Sequence, residues 1–177
     1  MEFAGLLCLL VMAIFVALGV GFLTYWPMYG APYVPTQYKE IKDIFRKIKL
    51  RKRQVFCDIG CGDGRLTLAA IKITKTRAYG IDINWGLIQW CKLRAYLNNN
   101  NLAEFRCQNI FKKDLPKAKV YFLYLWPKFV EKLANRFETQ KLNNVIVLSK
   151  SFEIIKWRRY LKDNFILNGR RFWVYKI

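Results

Sequence analysis

Val55-Phe56-Cys57-Asp58-Ile59-Gly60-Cys61-Gly62-Asp63-Gly64-Arg65-Leu66 decides how this chain is read. A short apolar run ends in three alternating glycines, and an apolar helical pattern begins at Arg65. That is a β-strand closing into a turn that opens a helix. Ligands of open α/β sheets bind at such strand ends. Glycine there permits positive φ and lets the backbone approach a ligand closely. The spacing is G-x-G-x-G, whereas a dinucleotide-binding turn has G-x-G-x-x-G and sets a phosphate on the helix N-terminus. Asp58 and Asp63 add negative charge to the loop. Such a loop disfavours pyrophosphate and favours a ligand that carries cations. S-adenosylmethionine has an ammonium, a sulfonium and no phosphate.

Outward from the loop, strand and helix take turns. The pattern predicts strands at 55–59, 78–83, 104–108, 120–125 and 145–148. Helices are expected at 37–49, 65–75, 85–97 and 127–142, with Thr36 capping the first and Pro127 opening the last. Asn168-Gly169, between two apolar runs, marks a closing hairpin. Alternation of this kind implies an α/β, Rossmann-like, doubly wound and mostly parallel sheet with a C-terminal antiparallel hairpin. Residues 110–119 are short for a helix, and 149–160 give no clear pattern.

Three further strand ends carry candidate ligand groups. Asp82 ends the second strand, followed by Ile83 and Asn84, and an acid there accepts from ribose hydroxyls. Asn109 follows the third strand. Its amide suits the adenine edge, and Ile110 and Phe111 suit the faces of the ring. Tyr124-Leu125-Trp126-Pro127 follows the fourth strand, where the transferred group would lie. Singly, each has a plain structural reading as packing, turn or solvated surface. All four in order at consecutive strand ends point to a nucleoside donor.

Ahead of this region, residues 3–23 contain no charge and no proline. A helix of that length covers about 30 Å, one hydrocarbon core. Tyr25, Trp26 and Tyr29 follow where an interfacial belt would sit. A cleaved signal peptide is the competing reading, but no basic segment precedes the run. The expected organisation is a membrane anchor with interfacial aromatics over 1–29, a proline-rich linker over 30–36, and a catalytic domain over 37–177. All 31 basic residues lie after Tyr38, against 11 of the 12 acids, so that part carries +20. The positive-inside rule then expects a single-pass protein with the C-terminal domain on the cytoplasmic side. Such a charge also fits an anionic leaflet or nucleic acid, or is simply solvated.

Histidine is absent, which excludes Ser-His-Asp and Cys-His machinery and any histidine metal site. No metal is expected. The five cysteines form no C-x-x-C pair and read as buried, reduced thiols.

Taken together, the loop and the strand-end residues resemble the class I, seven-stranded S-adenosylmethionine-dependent methyltransferases over about residues 36–177. Pro32-Tyr33-Val34-Pro35-Thr36, the run Asp58 to Arg65 and Asp82-Ile83-Asn84 resemble a narrower group. These are the membrane-anchored protein-lysine methyltransferases related to those acting on the ATP synthase c-subunit and the adenine nucleotide translocase. The chain departs from that group at Cys61, where a small Ser or Gly is usual, and at Asp82, where Glu is frequent. The resemblance implies that Asp58 and the Gly60, Cys61, Gly62 and Gly64 backbone hold the methionine end of the cofactor. It implies Asp82 and Ile83 at the ribose, and Asn109 and Ile110 at adenine. Tyr33 and Thr36 would close over the cofactor or line the acceptor channel, and Tyr124 and Trp126 would shape the acceptor's approach. The implied reaction is in-line methyl transfer to a lysine amine of a membrane-associated protein, with no dedicated base. RNA or another nucleic acid, and a lipid or small molecule, are the alternative acceptors.

Overall fold

In a computed structural model of the 177-residue chain, residues 5–17 and 35–177 are described. The chain divides into two compact units, Met1–Val34 and Pro35–Ile177. In the first, residues 5–17 form a helix (α1) whose apolar side chains are all exposed. Among the described residues no helix is long and apolar enough to cross a membrane. The expected span 3–23 and linker 30–36 lie partly outside the described residues, and Tyr33 lies wholly outside them.

The second unit is one seven-stranded sheet. Its strands are β1 (Phe56–Ile59), β2 (Ala78–Asp82), β3 (Ala103–Cys107), β4 (Val120–Leu123), β5 (Ile146–Lys150), β6 (Leu161–Leu167) and β7 (Arg170–Lys176). They run in the order β3-β2-β1-β4-β5-β7-β6. The first five are parallel, and β7 pairs antiparallel with both β5 and β6. Asn168 and Gly169 turn the hairpin with positive φ at both positions, as a two-residue turn of this type requires.

The helices are α2 (Tyr38–Lys47), α3 (Arg65–Thr74), α4 (Trp85–Leu97) and α5 (Pro127–Thr139), with a 3₁₀ segment at Ile155–Tyr160. Side-chain alternation along β4 shows how the sheet is covered. Val120 and Phe122 pack with Ile44, Phe45 and Leu66 of α2 and α3. Tyr121 and Leu123 pack with Leu133 and Phe137 of α5 and with Trp157. At β4 both sheet faces are therefore covered, and this strand is apolar and buried on both sides.

Several expected boundaries move. The first helix is capped by Gln37, not Thr36, and no side chain bonds the cap. Buried Lys150 has taken the Thr36 hydroxyl, its Nζ lying 3.3 Å from Oγ1. The fourth strand ends at Leu123, so Tyr124 and Leu125 belong to the loop beyond it. Residues 110–119 are not helical. The Tyr121 hydroxyl pins this crossover by donating to the Pro116 carbonyl at 2.7 Å and accepting from the Ala118 N–H at 3.0 Å.

Candidate active site

The glycine loop is fastened by its own backbone and by the next strand. The N–H groups of Gly60 and Cys61 both donate to the Ile81 carbonyl, at 2.8 and 2.9 Å. Gly60, Gly62 and Gly64 have φ of +83°, +54° and +72°. At Gly64 a Cβ would sit 2.7 Å from the Phe105 ring and 2.9 Å from Cys91 Sγ. This glycine is required both by its φ and by the close approach of α3 to α4 and β3.

Two acids face this turn from adjacent strands. Asp58 is 3% exposed, and its carboxylate accepts from the Thr67 hydroxyl at 3.4 Å. Burial, and next the nearby Asp82 charge, push its carboxyl up to about 8. Asp82 accepts from the Gly62 N–H through one oxygen (3.0 Å) and from the Asn84 N–H through the other (2.9 Å). Burial raises it too, against those backbone bonds. Among the described residues neither acid forms an ion pair, although the chain holds 31 cations. A buried acid beside a partly buried one, with no cation between them, is an electrostatic site that favours positive charge.

Asp63 does not share this role, contrary to the charge reading of the loop. Its carboxylate turns away to Arg65, with Nε at 2.9 Å, and to Arg94, with Nη1 at 3.1 Å. The two guanidiniums outweigh partial burial and hold it below its ordinary value. Arg94 also donates to the Tyr38 hydroxyl at 3.0 Å, and Arg65 to the Thr36 carbonyl at 3.3 Å. These bonds tie the start of α2 to the glycine loop. Cys61 is buried beside Cys91, whose thiol donates to the Gly62 carbonyl at 3.2 Å. The Cys91 bond, and then burial, keep the Cys61 thiol protonated.

Asn84 caps α4 by accepting from the Leu87 N–H at 2.9 Å. Ile83 is half exposed beside it. Asn109 lies past β3, where its side-chain oxygen accepts from the Phe111 N–H at 2.9 Å. That bond orients the amide and leaves its two N–H donors for another group. Ile110 and Phe111 are half-buried. Trp126 caps α5 and stays half exposed.

Tyr124 stands among cations that sequence reasoning missed. Its hydroxyl accepts from Arg170 at 2.6 Å, and Lys150 Nζ lies 4.8 Å from its ring centre. Lys150 is almost fully buried and is paired with Glu40 at 2.9 Å. The sequence alone does not single out Thr67, Arg94, Glu40, Lys150 or Arg170. Only the G-D-G-R spacing hints at one such contact, the Asp63–Arg65 pair.

The site fits the cationic cofactor on its own geometry: two acids, one buried and one partly buried, without an ion-pair partner among the described residues, and glycines at positive φ in the turn. Fold and crevice together define a class I S-adenosylmethionine-dependent methyltransferase. Residues 58–160 match the model of the ANTKMT methyltransferase domain, and the chain belongs to that family. A protein-lysine N-methyltransferase of Saccharolobus islandicus is 30% identical over 130 residues, covering 71% of this chain and 80% of that one. The ATP synthase C-subunit lysine N-methyltransferase of Xenopus laevis is 24% identical over 127 residues, and the match spans only 55% of that protein. Among solved structures, an RNA methyltransferase from Salinibacter ruber in complex with S-adenosyl-L-homocysteine superposes with a TM-score of 0.74 at 27% identity. That match covers 81% of this chain and 94% of the other.

Proposed function

We propose that this chain methylates the side-chain amine of lysine in a membrane-associated protein. The Asp58–Asp82 pair carries the donor half of that reading. Its carboxyls, raised by burial and ready to ionise beside a cation, fit the ammonium and sulfonium of S-adenosylmethionine. The relatives named for lysine methylation support the acceptor half.

In this reading Asp58 and the backbone of Gly60, Cys61, Gly62 and Gly64 hold the methionine end. Asp82 and Ile83 hold the ribose, and Asn109 and Ile110 the adenine. Thr36 closes over the cofactor or lines the acceptor channel. When bound, the cofactor supplies a methyl group already activated on sulfur, so the protein's part is positioning. A lysine amine, ordinarily near pKa 10.4, must arrive neutral. Arg170 beside Tyr124 disfavours a further cation there, which lowers the acceptor's pKa without a base. This suits a chain without histidine. Tyr124 and Trp126 form the acceptor wall.

The apolar run 3–23 serves as a single-pass anchor with the catalytic unit on the cytoplasmic side. The exposed apolar helix over 5–17 and the +20 charge beyond Tyr38 support this. Tethering raises the effective concentration of membrane-bound acceptors.

A second reading, methylation of RNA, is favoured by the same charge and by the likeness to the Salinibacter ruber enzyme. Membranes and RNA incubated with the chain and radiolabelled cofactor, then fractionated, distinguish the two. Label recovered as methyllysine supports the proposal. Label confined to RNA overturns it.

A further inference from the structure

Helix α4 is apolar on the side that faces solvent. Ile88, Cys91 and Ala95, spaced three and four apart, form its buried stripe. Trp90, Leu93 and Leu97, with the same spacing, lie on the opposite side, and Trp85 and Tyr96 extend that surface. These five side chains are between 47% and 79% exposed. Ile83, exposed just before the helix, continues the patch. An outer surface helix is ordinarily polar, as α2 and α5 are, with Lys, Asp, Glu and Arg on their open sides. A contiguous exposed apolar patch marks an interaction surface.

The composition of the patch selects among partners. It is built from Trp, Tyr and Leu, and the rings of Trp and Tyr favour the boundary between hydrocarbon and headgroups. Helix α4 carries exposed Lys92 and no acidic residue, its Arg94 being paired with Asp63. The chain beyond Tyr38 carries +20. A second copy would bring the same charge against it, whereas an anionic lipid surface is attracted. The patch adjoins Asp82 and Asn84, so whatever it docks on lies beside the crevice.

We propose that the outer face of α4 is a membrane-docking surface. Trp85, Trp90, Leu93, Tyr96 and Leu97 seat in the headgroup–acyl boundary of an anionic bilayer. The contact is separate from the N-terminal anchor. It orients the crevice toward the bilayer and adds the second attachment that a single weak membrane contact lacks.

The test uses the full chain reconstituted in vesicles containing anionic lipid with brominated acyl chains, which quench nearby tryptophans. Trp26 reports on the N-terminal segment, and Trp85 and Trp90 on α4. The expected result is a quenched component that disappears in the Trp85→Phe/Trp90→Phe variant. It should fall severalfold in purely zwitterionic lipid or at high salt. A Leu93→Glu/Leu97→Glu variant, which keeps both tryptophans, should lose it while binding S-adenosylmethionine with unchanged affinity. Equal quenching in the wild type and the Phe variant overturns the proposal, and leaves the anchor standing if Trp26 is still quenched. Trp85 and Trp90 shielded from lipid and from aqueous quencher alike, with a doubled mass, overturns it in favour of self-association. The same shielding only when an acidic protein or RNA is added overturns it in favour of that partner.

Discussion

The carboxylate of Asp82 accepts a hydrogen bond from the backbone N–H of Gly62, 3.0 Å away. The last residue of β2 thus fixes the middle of the glycine loop, while its second oxygen fixes Asn84 at the start of α4. One side chain sets the floor of the crevice and the cap of the helix beside it. In Asp82→Ala both N–H groups lose their acceptor. Leaving partly buried donors unsatisfied costs about 1–3 kcal/mol. Thermal unfolding should show that loss, and calorimetry a weakening of S-adenosylmethionine binding. Asp82→Asn keeps one acceptor oxygen but turns a donor toward the other N–H, so it should also lose stability relative to wild type and be impaired in binding.

Asp58 is a destabilising residue in the ligand-free chain. Its folded value of about 8 lies above the ordinary carboxylate value. Between about pH 4 and pH 8 the folded state therefore binds more protons than the unfolded state, and stability falls as pH rises. The slope for one such group is at most about 1.4 kcal/mol per pH unit. Asp58→Asn should match the wild type near pH 4 and exceed it increasingly toward pH 8 in denaturant unfolding. Identical pH profiles would contradict the buried charge.

Gly64→Ala should be costly although it adds only one methyl group. The φ of +72° is strained for alanine by about 1–2 kcal/mol. The new Cβ would also meet the Phe105 ring at 2.7 Å. Overpacking of this kind adds about 1–3 kcal/mol. Phe105→Leu should relieve the second part and not the first. The double variant is therefore expected to lose less than the sum of the single losses in a chemical-denaturation cycle.

Lys150→Met should cost about 3–5 kcal/mol, because it strands the buried Glu40 carboxylate. Adding Glu40→Gln should recover much of that loss. A double variant no better than Lys150→Met would mean that the pair is not coupled.

How much of this is legible in the sequence follows from how far apart the partners lie. Glycines 60, 62 and 64 and the acids at 58 and 82 announce a strand-end site because their function is local. The parallel sheet and closing hairpin follow from periodicity and from Asn168-Gly169. The charge reading of Asp63 fails because a sequence displays a charge but not its counter-ion, and Arg94 lies 31 positions away. The capping role expected of Thr36 fails for a similar reason, since its competitor Lys150 is 114 positions along. The crossover before β4 has no periodicity to detect. It is held by scattered side chains, among them the Tyr121 hydroxyl, the Gln140 amide and Arg136, which a pattern search does not connect to it.

The most direct measurement is calorimetric titration of S-adenosylmethionine near pH 6.5 in buffers of differing ionisation enthalpy. At that pH Asp58 is protonated in the free protein, and a cationic ligand should expel that proton. The expected result is proton release with the wild type, and its loss together with most of the affinity in Asp58→Asn. Binding that releases no proton and is as tight in a folded Asp58→Asn variant would contradict the account.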